Sequence, residues 1–293
     1  ACGATAELAD ARHLLLEEAV PLLTITGPGG VGKTHLALTL AWDVLPAFVA
    51  GAYFVDLAPV DDPSMLAAAI AATLGIRSTS RSSRETLVSR LRSRQALLLL
   101  DNCEHLLEAV AALASELLAA CPALQLLVTS RAPLHVRSEH VLPLAPLRLP
   151  DPDATGPEEI GAAPAVALFV ARSRAVRTDF QIDAGNALAV AEIARALDGL
   201  PLGIELAAAR SSMLSPPAML ALMHQRLRLL VHGSRDAPSR HQTLRAAIFW
   251  SYDLLAERER LLFRLVSVFS GGFTLPDAIA IGHNFEAVLS DLE

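Results

Sequence analysis

Residues 27–34 read Gly-Pro-Gly-Gly-Val-Gly-Lys-Thr. The apolar run Leu22–Thr26 precedes them, and a stretch of helical periodicity, Lys33–Leu45, follows. Every fixed position of the G-x-x-x-x-G-K-[ST] phosphate-binding loop is matched, in its strand–loop–helix context. Such a loop demands a buried strand that stops abruptly and a helix that starts where the loop ends. Gly27, Gly29, Gly30 and Gly32 are expected to supply backbone angles closed to other residues. With Val31 they let the loop turn its N–H groups inward on a phosphate. The N-terminus of the following helix adds its positive dipole end. Lys33 reaches the phosphate oxygens as a mobile point charge, and the Thr34 hydroxyl is placed to ligate Mg²⁺. His35 completes the loop's contact set on the first helical turn and has no catalytic role.

The first half alternates strand and helix signals. Leu22–Thr26, Ala52–Asp56, Ala96–Leu100 and Leu124–Ser130 read as strands, with a fifth at His140–Leu144. Helical stretches at Lys33–Leu45, Ser64–Leu74, Glu85–Arg94 and Glu104–Ala120 separate them. This alternation predicts an α/β domain: a parallel sheet with helices on both faces. The Pro- and Asp-rich segment Arg148–Pro157 reads as a linker. Past it only helices are read: Ala163–Arg174, Ala184–Leu197 with Asp183 as N-cap, Leu202–Arg210 and Pro217–Leu229. Val231–His241 is a second linker, followed by helices at Thr243–Leu255 and Glu257–Ser270. The expected units are 1–150, 158–230 and 242–293.

Composition narrows the function classes. Hydrophobic residues make up 53% and charged residues 19%, which excludes a disordered chain. Aromatics are only 4%, so the core is built from Leu, Ala, Val and Ile. The longest stretch free of Asp, Glu, Lys and Arg is Ser211–Gln225, 15 residues with a Pro pair. A membrane-spanning helix needs about 20, so none is expected. Residues 1–20 carry four acids and show no signal-peptide pattern. Three cysteines without close spacing predict neither a disulfide framework nor a zinc site, and a cytoplasmic location is expected. A net charge of −7 argues against a chain-wide nucleic-acid surface. The one basic run, Arg77–Arg94, reads as a solvated face, with a docking patch as the sharper alternative. The chain starts without Met and stops within a helical pattern, which reads as a piece of a longer protein.

A phosphate loop needs a carboxylate on the metal side. Asp101 ends the most apolar strand, QALLLLDN, at the sheet edge that holds the loop. It is the candidate to hold Mg²⁺ with Thr34. Arg131 follows the next strand at the same edge and is placed to sense a γ-phosphate with its planar guanidinium. Asn102 cannot deprotonate water, so Glu104 is the nearest candidate base or water-positioner. Its alternative is an ordinary first-turn helix acid.

Five segments, in order, extend this pattern: GPGGVGKT, LLLLDNCEH, LLVTSRAPL, LDGLPLGIELAAAR and RHQTLRAAIFWSYDLL. Together they resemble the signal-transduction ATPases with numerous domains, the NB-ARC-like class, in the branch found in bacterial regulators of LuxR and antibiotic-regulator type. The resemblance covers essentially the whole chain. It implies a nucleotide-binding domain, a helical domain and the start of a winged helix, with ATP or ADP between them. It implies that Pro201 of the GLPL motif contacts the adenine, that Arg131 is the first sensor and that Asp101 is the acid of the second nucleotide motif. It also implies an ADP-closed state, an ATP-open state that self-associates, and sensor and DNA-binding domains elsewhere in a longer parent chain. The family's opening Gly-Arg-Glu segment is matched here by Gly3 and Glu7-Leu8, without the Arg.

The expected function is therefore an ATP/ADP-binding regulatory switch that needs Mg²⁺ and hydrolyses ATP weakly. The alternative is a turnover ATPase or small-molecule kinase, which predicts a substrate pocket and an evident base. Direct DNA binding by this part of the chain is not expected.

Overall fold

In the computed structural model, the described residues are 5–76 and 83–223. Beyond these, 246, 248–249, 252, 255, 257–269, 274 and 276 are described. Five parallel strands form one sheet: β1 (Leu22–Thr26), β2 (Ala52–Asp56), β3 (Ala96–Asp101), β4 (Leu124–Ser130) and β5 (Glu139–Pro143). Their spatial order is β2-β3-β4-β1-β5. β1 and β3 are buried along their whole length and β4 at all but Gln125, as continuous apolar runs in a sheet covered on both faces should be. The edge strands β2 and β5 are only partly covered.

The two-residue side-chain period divides each central strand between two cores. Leu98 and Leu100 of β3, with Leu126 and Val128 of β4, pack with α3 (Leu66–Thr73), α4 (Ser83–Leu91) and α5 (Leu107–Ala120). Leu97 and Leu99 point the other way, with Leu23 and Ile25 of β1, against α1 (Thr5–Leu16) and α2 (Lys33–Val44). The opening helix α1 was not anticipated. It buries Ala11 and Leu15 and is tied to α2 by Arg12–Asp43, 3.0 Å apart.

The expected strands and helices of the first half are present within a few residues. Two helices start with a 3-10 turn, at Pro63–Met65 and Cys103–His105, the first with Asp62 accepting from the Ser64 N–H.

A separate all-helical core follows, built by α6 (Pro157–Ala162), α7 (Pro164–Val176), α8 (Ala187–Ala196), α9 (Pro201–Ala208) and α10 (Pro216–Ala221). Phe169 and Phe180 meet at its centre, ring centroids 5.9 Å apart. α6 begins at Pro157, where the linker was expected to end, and has Pro at its N-terminus, the position that tolerates a missing N–H. Asp183 is not the N-cap of α8. Asn186 occupies that position, and the Asp183 carboxylate accepts from the Gly185 N–H at 2.8 Å in the preceding turn. Residues 224–245, which include the second linker, and most of Thr243–Leu255 lie outside the described residues. Within 242–293, α11 (Glu257–Val266) is described, and its Phe263 packs edge-on against Tyr252. No described helix is long and apolar enough to cross a membrane.

Candidate nucleotide-binding site

β1 stops at Thr26, and the chain turns through the glycine-rich loop into α2. Three of the four glycines need their missing side chain's freedom: Gly27, Gly30 and Gly32 have φ of 148°, 79° and 102°. Gly29 is not among the positive-φ glycines. Gly32 precedes the first turn of α2, whose N–H groups have no acceptor earlier in the helix. Those donors are what a phosphate would meet. Val31 is buried beneath the loop, and the His35 side chain is exposed on the outer side of α2.

Lys33 is largely buried and folds back along the loop. Its Nζ donates to the carbonyls of Gly27 (2.8 Å) and Pro28 (3.1 Å). Burial pushes its pKa below the ordinary lysine value. The negative charge of Glu104 opposes that shift, Arg131 reinforces it, and Asp101 opposes it more weakly. The cation is thus solvated by carbonyl dipoles that a phosphate can replace.

Asp101 is 2% exposed at the end of β3. Its Oδ1 accepts from the Thr34 hydroxyl at 2.8 Å and from the Thr129 hydroxyl. It caps no helix. Thr34 and Asp101 offer adjacent hard oxygen donors, the set Mg²⁺ takes when phosphates and waters complete its shell. These two residues could hold that ion. Among the described residues, no cluster of three or more His, Cys, Asp or Glu is arranged to hold a metal.

Arg131 and Glu104 meet at the same edge. Arg131 Nε donates to Glu104 Oε1 at 3.3 Å. Glu104 is 7% exposed, and its Oε2 is buried without a partner among the described residues. Glu104 therefore points into the site and is not a solvated first-turn acid. The structure brings together Gly27, Gly30, Val31, Gly32, Lys33, Thr34, Asp101, Glu104 and Arg131.

The helical core reaches the loop through the segment around Pro201. Gly199, with φ of 67°, accepts from the Leu147 N–H at 3.0 Å. Leu200 then packs into the α1–α2 side of the sheet core, and Leu202 packs into the helical core. The Leu202 N–H donates to Gly30 O at 3.1 Å, and a Cβ on Gly30 would sit 2.9 Å from that of Leu202. Pro201 lies between these two anchors as the first residue of α9.

Sequence reasoning missed four of the residues here. Asp56 ends β2 in register with Asp101 and had the same strand-ending signal. Thr129 stood unassigned beside Arg131. Asn102 was weighed only as a base. Leu202 had no local signal for contact with the loop.

Residues 18–136 match the family described as AAA domain. Over 97% of the chain and 69% of the relative, the sequence is 41% identical to the uncharacterized protein Rv0894 of Mycobacterium tuberculosis. The chain belongs to the Rv0894 family. It is also 42% identical, over 90% of its length, to the "Putative HTH-type transcriptional regulator Rv0890c" of the same organism, of which it spans 29%. Among solved structures it is similar to a signal transduction ATPase with numerous domains (STAND) protein with a tetratricopeptide repeat sensor from Pyrococcus horikoshii. That likeness covers 94% of this chain and 35% of the other, at 15% identity and a TM-score of 0.44. In this member of the Rv0894 family, residues 18–136 form an AAA-type P-loop module, a nucleotide-binding fold.

Proposed function

We propose that this chain is an ATP/ADP-dependent switch module of a bacterial transcriptional regulator, closed with ADP, opened by ATP and reset by slow hydrolysis. The observation that carries it is Leu202. A helical core with its own hydrophobic centre is hydrogen-bonded to the phosphate loop itself, at Gly30. Whatever fills the loop then acts on how the two cores meet. The relationship to the putative HTH-type transcriptional regulator Rv0890c, of which this chain spans 29%, supports a place inside a longer transcriptional regulator.

Each residue has a role in this reading. The first-turn N–H groups of α2 bind the β-phosphate. Lys33 exchanges its two carbonyl partners for phosphate oxygens. Pro201 offers its ring to the adenine. Thr34 and Asp101 would hold Mg²⁺, which supplies positive charge to the phosphate oxygens when bound. Arg131 turns from Glu104 toward a γ-phosphate, and Glu104, with one free oxygen, orients the attacking water. Taking the closed–open equilibrium from 1:99 to 99:1 needs about 5.5 kcal/mol of differential binding, to which Arg131 and Lys33 contribute. Self-association in the ATP state belongs to the same reading.

The first test is to denature the purified protein and identify the nucleotide released. Near-stoichiometric ADP is expected, and solution scattering should differ between ADP- and ATP–Mg²⁺-loaded samples. No released nucleotide together with no binding of added ATP–Mg²⁺ would overturn the proposal. Glu104→Gln, which keeps the shape and loses the charge, should slow single-turnover hydrolysis by about 100-fold or more while leaving ADP affinity unchanged. An unchanged hydrolysis rate would remove Glu104 from the chemistry.

A further inference from the structure

Asn102 sits at a place in the site where the backbone is held against its preference. Its φ and ψ are 63° and 53°, the left-handed region. A residue with a Cβ pays about 1–2 kcal/mol there, and Asn tolerates it better than most. Three bonds hold the conformation. The Asn102 N–H donates to Thr129 Oγ1 at 3.1 Å. The carboxamide Nδ2 donates to Asp101 Oδ2 at 2.6 Å and to Asp56 Oδ1 at 3.1 Å. Asp56 is held in turn by the Ala58 N–H at 3.0 Å. A carboxamide has two N–H donors, so one group can serve two carboxylates from neighbouring strands.

The consequence falls on Asp101. Its Oδ2 is occupied by Asn102, while Oδ1 is turned toward the Thr34 hydroxyl. The rotation of the carboxylate is therefore set from behind. The two strand-ending carboxylates, Asp56 and Asp101, also share a donor between them. We propose that Asn102 is a positioning residue for the Mg²⁺ site: its carboxamide clamps Asp101 to Asp56 and aims the Asp101 Oδ1 edge at the place beside Thr34 where the ion binds. This rests on the nucleotide-switch reading above. Asn102 acts on the ion only through the ligand Asp101. Partners behind a ligand commonly set its affinity by about 10- to 100-fold.

Two substitutions separate the side chain from the backbone. Asn102→Gly accepts the left-handed conformation without strain and removes the donor. Asn102→Asp also tolerates the backbone but replaces the donor with a third carboxylate. The intact protein and both variants are titrated with Mg²⁺ at fixed ATP, and Mg²⁺-free ADP binding is measured by calorimetry. Thermal unfolding without nucleotide is recorded beside them.

For Asn102→Gly the Mg²⁺ midpoint should rise about tenfold or more, and for Asn102→Asp by less, because the added carboxylate also attracts the ion. Mg²⁺-free ADP affinity should be unchanged in Asn102→Gly. Asp56→Asn, which leaves Asn102 and Asp101 in place, should give a smaller rise. Equal Mg²⁺ midpoints in Asn102→Gly and the unsubstituted protein would overturn the clamp and leave the switch reading standing. Parallel loss of Mg²⁺-free ADP binding and of thermal stability would reduce Asn102 to a folding role and also overturn it. Absence of any nucleotide binding by the unsubstituted protein would overturn the switch reading, and the clamp with it.

Discussion

Lys33→Met should weaken ADP binding by about 100-fold while leaving the fold as stable as before. The affinity loss follows from charge-assisted hydrogen bonds to phosphate, worth about 1.5–3 kcal/mol when one charged partner is removed. The stability expectation comes from what Lys33 does without a ligand. It is a largely buried cation whose bonds among the described residues run to the Gly27 and Pro28 carbonyls, and burial lowers its pKa. A residue in that position costs folding energy. Methionine keeps the length and removes the charge.

The pH dependence has a definite sign. The unfolded chain keeps the Lys33 proton to higher pH than the folded protein does. Between the two pKa values the unfolded state binds more protons, so stability rises with pH through the window below the ordinary lysine value. Urea midpoints measured across alkaline pH should show this rise in the unsubstituted protein and a weaker one in Lys33→Met. A large fall in the Lys33→Met midpoint at neutral pH would contradict this account of the site.

Gly199→Ala should destabilise the protein far more than Gly75→Ala, although both glycines have left-handed φ, 67° and 65°. At Gly75 a Cβ would meet nothing within 4 Å, so only the backbone preference is lost, about 1 kcal/mol. At Gly199 it would lie 2.3 Å from the Leu147 carbonyl oxygen, a backbone atom that cannot step aside by changing rotamer. The Leu147 N–H bond to Gly199 O would break with any shift that relieved the contact. A loss of about 3–4 kcal/mol is expected, at the upper end of single-substitution effects. Because Gly199 sets where Leu200 and Leu202 enter the two cores, Gly199→Ala should also weaken ADP retention, and Gly75→Ala should not. Equal urea midpoints for the two variants would show that the Gly199 contact relaxes freely.

The local elements were readable because their causes are local. The unbroken Leu97–Leu100 run is apolar on both faces and so marks a central strand. The loop's spacing states its own backbone requirement, and Asp101 and Arg131 follow from the rule that ligands gather beyond the carboxyl ends of parallel strands. α1 was missed because its residues alternate small, apolar and charged types without a clear stripe, and its helicity depends on the α2 surface it meets. The N-cap of α8 moved from Asp183 to Asn186 because the Asp183 carboxylate is engaged with the Gly185 N–H.

What the sequence by itself determined is the chemistry of the loop, the parallel layering of the first half and the change to helices after it. Side-chain period and residue type act within a turn or a strand, so neighbours in the chain suffice to specify them. Only the tertiary structure decided which partners those residues meet. Glu104 is turned inward onto Arg131, Asn102 bridges two strands, and Leu202 reaches across to Gly30 while Leu200, two residues earlier, joins a different core. Each contact joins segments far apart in the chain, and its geometry depends on strand order and on a few left-handed turns. No local pattern carries that information, because the same residues would have the same propensities wherever the chain placed them.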